Sequence, residues 1–269
     1  MACKIIVFVK QVPDTKNVTG QAMKEDGTVN RAALPAIFNP EDLNALELAL
    51  QLKERYNGYV VVATMGLPSA AGVLRNALSR GADEAILLTD RALGGADTLA
   101  TSFALSRCAR KIGDFDLILC GRQAIDGDTA QVGPQIAEKL NIPQVSYAAE
   151  IEKNGSTLKI KRMLEDGYMT IEVQTPCLIT CIKDRDLKPR YMHLGRIMEC
   201  YAQPMTVLDY NALKDEPLIE PDTIGLKGSP TNIFKSFTPP QKGQGVMLKG
   251  TDKEMVDDLT ARLKDKHLI

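Results

Sequence analysis

Short apolar runs alternate with helical patterns along the first half of the chain, and this alternation strongly constrains the fold. Four runs are short and apolar, as expected for buried strands, and the first of them is rich in β-branched residues: residues 4–10, 59–65, 85–89 and 116–120. Helical patterns begin at Asn39-Pro40 and cover about 69–80, 97–112 and 129–140. Strands that alternate with helices are typical of parallel sheets with right-handed crossovers. We therefore predict an α/β fold with a mainly parallel, doubly wound sheet.

The pattern changes after Pro143. Three β-rich segments, 146–153, 158–163 and 169–182, are separated by turns and predict an antiparallel extension of the sheet. Regular patterning fades from Asp184, where prolines recur, until a last helix over about 252–266. We expect residues 1–183 to form a nucleotide-binding α/β domain. Residues 184–269 would be an irregular arm that ends in a helix and packs on a partner subunit, or else a partly mobile tail.

Composition excludes several classes of function. The chain has 269 residues, of which 44% are hydrophobic, enough for a sizeable core. Its formal net charge of −1 indicates neither a nucleic acid nor an anionic membrane as partner. Since we find no signal-peptide core and no run of membrane-spanning length, we expect a cytoplasmic protein.

The cysteines and histidines do not suggest a metal site. Cys177 and Cys181 fall in a predicted strand, where four residues span about 13 Å, too far for both to bind one metal. Cys3 and Cys120 lie in or beside apolar runs and are expected to be buried. We predict no metal ligands and no catalytic residues.

The segment 117–133 is the strongest candidate for a binding site. It joins an apolar run to a Gly/Asp-rich turn and a helix start, which places free backbone N–H groups where an α/β sheet can bind a nucleotide. Arg122 adds a positive charge, and Thr129 and Gln131 can hydrogen-bond phosphate. Asp126 and Asp128 would repel a triphosphate, so they would cap the helix or accept from ribose hydroxyls. The alternative is an ordinary strand–helix loop with capping aspartates.

A second helix start is Asn39-Pro40-Glu41-Asp42. Asn is a favoured N-cap, Pro fits the first helical position, and acidic residues suit the first turn. Those acids make a poor phosphate site, so helix capping is the simpler interpretation. The segment would line an adenine or ribose pocket only if the sheet brings it beside Gly121.

A third helix start lies in the block GGADTLATS, residues 94–102. Asp97 is the expected cap, and hydroxyls at Thr98, Thr101 and Ser102 share one helix face. It can open at the same sheet edge as Gly121, or be a simple capped helix. We find neither a Walker A sequence nor a GxGxxG at a strand–helix junction.

Several blocks closely resemble the β subunit of electron transfer flavoproteins. They are residues 9–15 (VKQVPDT), Asn39-Pro40, 80–83 (RGAD) and 121–128 (GRQAIDGD). The resemblance runs from Lys4 to about Thr180, with scattered matches beyond. A further family signature near 160–180 is imperfect, because Met169 stands where an acidic residue is usual.

The resemblance implies a heterodimer with a larger α subunit that carries the electron-transferring FAD. The β subunit would hold a second adenine nucleotide, either a structural AMP or, in the electron-bifurcating branch, a second FAD. The candidate cofactor-binding residues come mainly from positions that match the family's nucleotide pocket. Val9 from the first block and the polar residues of the third helix start are added to them. The full set is Phe8, Val9, Asn39, Pro40, Glu41, Asp42, Met65, Asp97, Thr98, Thr101, Gly121, Arg122, Gln123, Ala124, Ile125, Asp126, Gly127, Asp128, Thr129, Ala130, Gln131 and Val132.

Four blocks look like the bifurcating branch and favour FAD over AMP: residues 94–102, 130–134, 228–230 and 235–239. Membership of that branch implies that NADH reduces the β-subunit FAD. One electron would pass to the α-subunit FAD and on to an acyl-CoA or hydroxyacid dehydrogenase, and the other to ferredoxin. The chain would then be an electron carrier within an NADH- and ferredoxin-linked oxidoreductase. Two alternatives stay open: a redox-inert subunit that binds AMP, and a stand-alone nucleotide-binding stress or signalling domain, which the long arm disfavours.

Residues 188–194 resemble the family's recognition loop, in which Leu194 would anchor on the dehydrogenase. Ordinary packing of Leu194 is the alternative. Residues 199–203 lack the lysine-rich run of the housekeeping branch, so the usual partners of that branch are in doubt.

Overall fold

The computed structural model describes residues 3–14, 35–182, 187–217, 219–231 and 245–269. Thr15 and the block 235–239, named above, lie outside these ranges. The strands are β1 (Lys4–Phe8), β2 (Gln11–Pro13), β3 (Ala36–Phe38), β4 (Tyr59–Met65), β5 (Glu84–Leu88), β6 (Leu117–Gly121), β7 (Gln144–Asn154), β8 (Thr157–Met163), β9 (Tyr168–Gln174), β10 (Cys177–Cys181) and β11 (Thr206–Leu208). The helices are α1 (Pro40–Tyr56), α2 (Ala71–Arg80), α3 (Thr98–Ile112), α4 (Val132–Leu140), α5 (Leu194–Ala202), α6 (Tyr210–Leu213) and α7 (Asp252–Asp265).

Nine strands form one sheet in the order β11-β5-β4-β1-β6-β10-β7-β8-β9. Every pairing from β11 to β7 is parallel, whereas β8 and β9 add antiparallel strands at the far edge. This confirms the predicted doubly wound sheet with an antiparallel extension. A separate two-stranded sheet pairs β2 with β3.

One strand was predicted in the wrong place. The β-rich segment 169–182 is two strands, divided at Thr175-Pro176. Its second half, β10, lies inside the parallel sheet between β6 and β7 instead of extending the antiparallel edge. The burial of all five residues of β10 explains its apolar sequence, because a central parallel strand is covered on both faces.

Side chains of the central strands alternate between two hydrophobic layers. In β1, Ile5 and Val7 pack with α1 and α2, whereas Ile6 and Phe8 pack with α3 and α4. Each layer therefore buries one face of the sheet, and the uninterrupted apolar runs of the sequence follow from this two-sided burial.

The strand order reverses direction at β1. The chain moves from β1 to β4 and β5 on one side, and then crosses to β6 on the other. The carboxyl ends of β1 and β6 therefore open onto a topological switch point, the place where open α/β sheets bind ligands. Residues 8–10 and the loop after Gly121 both lie there.

Most predicted boundaries agree with the structure within a few residues, and β4 agrees at both ends. The exception that matters for the site is the fourth helix. It begins at Val132 instead of Thr129, so Thr129, Ala130 and Gln131 belong to the loop that precedes it.

The described parts of the arm pack largely on the body. Helix α5 buries Cys200 in the core beside α2, β11 extends the main sheet, and Ile219 and Ile224 are buried in the layer that contains α3 and α4. Neither α5 nor β11 was predicted. By contrast, α7 was predicted, and it has no buried side chain. The packing of residues 184–269 on another subunit stays a prediction.

All six cysteines are buried and unpaired, including Cys177 and Cys181 at the two ends of β10. Within the described ranges, no helix combines the length and hydrophobicity needed to cross a bilayer.

Candidate functional site: the Gly121 loop at the sheet switch point

Residues 121–131, called here the Gly121 loop, start where β6 meets the first turn of α1. The backbone N–H of Gly121 donates to Asp42 Oδ1 at 3.0 Å, and the N–H of Lys10 donates to Asp42 Oδ2 at 2.8 Å. A Cβ atom on Gly121 would lie 2.5 Å from Asp42 Oδ1 and 2.7 Å from the Asp42 nitrogen. The glycine therefore lets the strand end contact α1. The condition set above for the second helix start, that the sheet bring it beside Gly121, is met.

Asn39 has a different role from the one predicted. It occupies the N-cap position of α1 but makes no side-chain capping bond. Its amide instead donates to the Gln123 carbonyl at 2.9 Å and accepts from the Ile125 N–H at 3.3 Å. The predicted helix start is confirmed, but the side-chain capping bond is not formed, because the neighbouring loop uses both ends of this side chain.

Glu41 neutralises the positive charge that the sequence had suggested for phosphate. Arg122 donates to the two oxygens of Glu41 at 2.8 and 3.3 Å, and Glu41 also accepts from the Gln123 N–H at 3.1 Å. Glu41 is buried, whereas the Arg122 side chain is 37% exposed. Arg122 thus belongs to an ion pair that fixes the loop to α1.

The two aspartates of the loop are also paired within the chain. Lys10 Nζ donates to Asp126 at 2.8 and 3.0 Å, and Gln123 Nε2 donates to Asp128 at 2.7 Å. Neither aspartate caps α4, whose N-cap residue is Gln131, and the side chain of Gln131 makes no capping bond. The repulsion of phosphate expected from these carboxylates is reduced where lysine neutralises Asp126.

The last residues of the loop present unused backbone donors. Ala130 has φ of 52°, in the left-handed region, and Gln131 follows in the right-handed region with φ of −105°. Successive residues of opposite handedness turn neighbouring N–H groups toward one point and form an anion-binding concavity. Among the described residues, we find no acceptor for the N–H groups of Thr129, Ala130 and Gln131.

Helix α3 begins beside these donors. Thr98 Oγ1 donates to Gln131 Oε1 at 3.0 Å, which joins the third predicted helix start to the Gly121 loop. Asp97 is the N-cap, as predicted, and accepts from the Ala100 N–H at 3.0 Å. Thr101, one turn along the helix, is half-buried.

Part of the arm closes against this helix start. The Asp97 N–H donates to Ser229 Oγ at 2.8 Å, and the Thr231 N–H donates to Asp97 Oδ2 at 3.2 Å. Ser229 is itself buried. The structure therefore brings the block 228–230 to the block 94–102, although they are far apart in sequence.

The remaining predicted residues lie at the ends of strands. Phe8 and Val9 at the end of β1 are buried, and Met65 at the end of β4 is half-buried. Sequence reasoning did not include Lys10 or Ser229 among the site residues. A lysine close to the end of a buried strand is a usable signal for a residue at the sheet edge, and Ser229 lies in the block 228–230 that the resemblance had singled out.

The environment of Asp42 is unusual for a carboxylate. Burial raises its pKa from 3.8 to about 7, against the opposite effect of its hydrogen bonds with Asn39, Lys10 and Gly121. The carboxyl group that joins the ends of β1 and β6 to α1 therefore titrates near neutral pH.

A second surface of interest lies on α5. Leu194, Met198 and Tyr201 recur at helical spacing and are 82%, 82% and 71% exposed. Tyr191, just before the helix, is 94% exposed. We call these four residues the α5 apolar row, and the predicted anchor Leu194 is its first helical member.

A family model described as electron transfer flavoprotein domain matches residues 26–195. The chain belongs to the electron transfer flavoprotein family. Within this family it is a β-type subunit that takes part in electron transfer. The chain is similar to a curated relative in Anaerotignum propionicum, the acryloyl-CoA reductase electron transfer subunit gamma. The two are 62% identical over 99% of this chain and 100% of the relative.

Two other electron transfer flavoprotein relatives are similar along nearly their whole length. Subunit CarD of the caffeyl-CoA reductase-Etf complex of Acetobacterium woodii is 48% identical over 99% of this chain and 100% of the relative. The electron transfer flavoprotein subunit beta of Clostridium acetobutylicum is 47% identical over 98% of this chain and 99% of the relative.

Proposed function

We propose that this chain is the FAD-binding β subunit of a heterodimeric electron transfer flavoprotein that carries out electron bifurcation. In this role the subunit takes part in electron transfer from NADH to the α-subunit FAD, toward a dehydrogenase, and to ferredoxin. FAD, when bound, supplies both the hydride and the single-electron chemistry. The protein residues would bind, orient and shield the nucleotide, which agrees with a site whose charged side chains are largely paired with one another.

The proposed phosphate contacts are the unused N–H groups of Thr129, Ala130 and Gln131. These groups lie just before α4, where the helix dipole also favours an anion. Because Arg122 is neutralised by Glu41 and Lys10 by Asp126, the attraction for a diphosphate would come mainly from the backbone.

One observation carries the preference for FAD over AMP: the bond between Thr98 and Gln131. It makes the start of α3 continuous with the Gly121 loop, so the polar surface extends past the proposed phosphate contacts. A dinucleotide needs contacts on both sides of its diphosphate, whereas AMP needs only one side. The packing of Ser229 against Asp97 adds to this second side.

The partners are proposed from two exposed surfaces. Helix α7 exposes Val256 and Leu259 and buries no side chain, which suits an arm that packs on the α subunit. The α5 apolar row, led by Leu194, would contact the electron-accepting dehydrogenase. Since two relatives are named as subunits of acryloyl-CoA and caffeyl-CoA reductase complexes, we propose a flavin-dependent acyl-CoA reductase as that acceptor.

Counting nucleotides in the purified αβ heterodimer tests the cofactor assignment. Acid extraction followed by chromatography should release two FAD molecules per heterodimer. One FAD with one AMP would overturn the bifurcating assignment and support the housekeeping type with a structural AMP. A stable, nucleotide-bound monomer would instead favour a stand-alone binding domain.

Gln131→Glu tests the placement of the phosphates. The substitution puts a negative charge beside the unused N–H groups, while a carboxylate at an N-cap stabilises the helix that follows by about 0.3–1 kcal/mol. We expect the heterodimer to lose the β-subunit nucleotide and to keep the α-subunit FAD. Gln144→Glu, exposed at the start of β7, is the matched control and should retain both. Unchanged nucleotide content in Gln131→Glu would contradict the placement.

A further inference from the structure

The segment that carries the α5 apolar row is attached to α1 through Arg190. Glu47 Oε2 accepts from the Arg190 side-chain Nε and from its backbone N–H, each at 2.9 Å, and Glu47 Oε1 accepts from Nη2 at 3.0 Å. The Glu47 side chain is only 7% exposed. A buried carboxylate with a two-pronged guanidinium contact fixes both the position and the plane of its partner.

A second carboxylate on the same helix contacts Arg190 from the solvent side. Glu54 accepts from Nη1 and, at 3.2 Å, from Nη2 of the guanidinium. Its side chain is 60% exposed, so water screens this pair more strongly than the pair with Glu47. The two carboxylates therefore differ in burial while they contact the same arginine.

Helix α2 supplies the remaining attachments. Arg80 donates to the Arg190 carbonyl, and the His193 N–H donates to the Ser79 carbonyl at 3.1 Å. Arg75 donates to two carbonyls at the end of α5. The apolar row is thus held at both ends, and Glu47 holds the end where Tyr191 and Leu194 lie.

We propose that Glu47 is a positioning residue for docking of the electron-accepting dehydrogenase. This proposal rests on the proposed function, since it concerns the surface assigned to that partner. Glu47 is buried beneath Arg190 and acts through it, by holding the start of the α5 apolar row in one orientation. If Glu47 loses its charge, the guanidinium and the backbone N–H of Arg190 lose their best acceptor. The α5 apolar row then samples other orientations before docking.

The test uses the αβ heterodimer with Glu47→Gln, which keeps the side-chain shape and removes the charge. Hydrogen–deuterium exchange at residues 190–200 should accelerate at least about fivefold, because these amides lose a fixed support. With the acryloyl-CoA reductase of A. propionicum as electron acceptor, KM for the reductase should rise at least about fivefold while kcat stays within about twofold. Flavin content should not change.

Three variants separate positioning from contact and from folding. Glu54→Gln, on the exposed partner, should change both readouts less than about twofold. Leu194→Ala should raise KM without faster exchange, because it removes contact area and leaves the attachment intact. Arg190→Lys keeps the charge but loses the two-pronged guanidinium contact. If Glu47→Gln folds poorly, Arg190→Lys replaces it in the test and should show the same faster exchange and higher KM.

Normal exchange and normal KM in Glu47→Gln would overturn the proposal. Faster exchange with an unchanged KM would also overturn it, because the orientation of the row would not matter for docking. If the unmodified heterodimer fails to reduce this reductase, the proposed acceptor is wrong. In that case the exchange data alone decide whether Glu47 fixes the row.

Discussion

At the scale of single residues, the site depends on close backbone approach more than on free charged side chains. Gly121 and Gly127 lie in the same loop but in different surroundings. A Cβ on Gly121 would overlap the first turn of α1, whereas a Cβ on Gly127 would meet nothing within 4 Å. The two glycines therefore form a natural pair for comparison.

We expect Gly121→Ala to destabilise the subunit by about 1–3 kcal/mol, the usual cost of overpacking. The new methyl group would push the end of β6 away from Asp42 and break the hydrogen bond to the Gly121 N–H. Thermal unfolding of the purified heterodimer measures this as a lower midpoint. Gly127→Ala, the control, should stay within about 0.5 kcal/mol of the parent. Equal midpoints for both variants would show that the contact with α1 can relax.

At the scale of elements, Asp42 joins the ends of β1 and β6 to the start of α1. Its pKa of about 7 lies above the ordinary value of 3.8, so the folded state binds a proton more tightly than the unfolded state. Stability then decreases as pH rises between those two values. At about 1.4 kcal/mol per pKa unit, this contribution is on the order of 4 kcal/mol.

Asp42→Asn should remove this pH dependence. The parent heterodimer should lose stability relative to the variant as pH rises from about 4 to 7. Thermal unfolding midpoints of the parent and the variant, measured across that pH range, give this difference in stability directly. Asp166→Asn, on an exposed turn, should leave the parent slope unchanged. A slope in Asp42→Asn equal to that of the parent would mean that Asp42 is ionised throughout.

Elements whose patterns are local could be predicted from the sequence. The run 59–65 is β-branched and ends at a glycine, and it matches β4 at both ends. Helix α5 was missed, although residues 194, 197, 198 and 201 carry a helical apolar period. Three of these four side chains are exposed in the structure, so the period marks a helix face without identifying what covers it.

The pairings within the site could not be predicted in the same way. Arg122 contacts Glu41 across 81 residues of sequence, and Lys10 contacts Asp126 across 116. Taken alone, each of these four residues has a plausible local role, such as helix capping or phosphate binding. Only the strand order, which places β1 beside β6, decides between these explanations.

At the scale of the whole molecule, two parts of the arm differ in their attachment. Residues 187–213 add α5 to α2 and β11 to the sheet, whereas α7 buries no side chain. Within the described ranges, the apolar side chains of α7 are exposed or at most half-buried, as Met255 and Leu263 are. We therefore expect this helix face to pack on another chain.

Deletion of residues 250–269 should leave the α/β body folded and weaken binding of the α subunit at least about tenfold, because the lost apolar helix face would otherwise be buried at the interface. Co-elution and titration of the two purified subunits measure this. Asp257→Ala, on the polar side of α7, should bind normally. Normal assembly of the truncated chain would place the interface elsewhere.

The buried cysteines have a consequence for handling of the protein. Burial raises the pKa of Cys3 to about 11 and that of Cys108 and Cys177 to about 12. Because alkylating reagents and peroxides attack the thiolate, these side chains are inert while the chain stays folded. Burial in this way protects the thiol groups from oxidation, and iodoacetamide labelling becomes a direct reporter of unfolding of the chain.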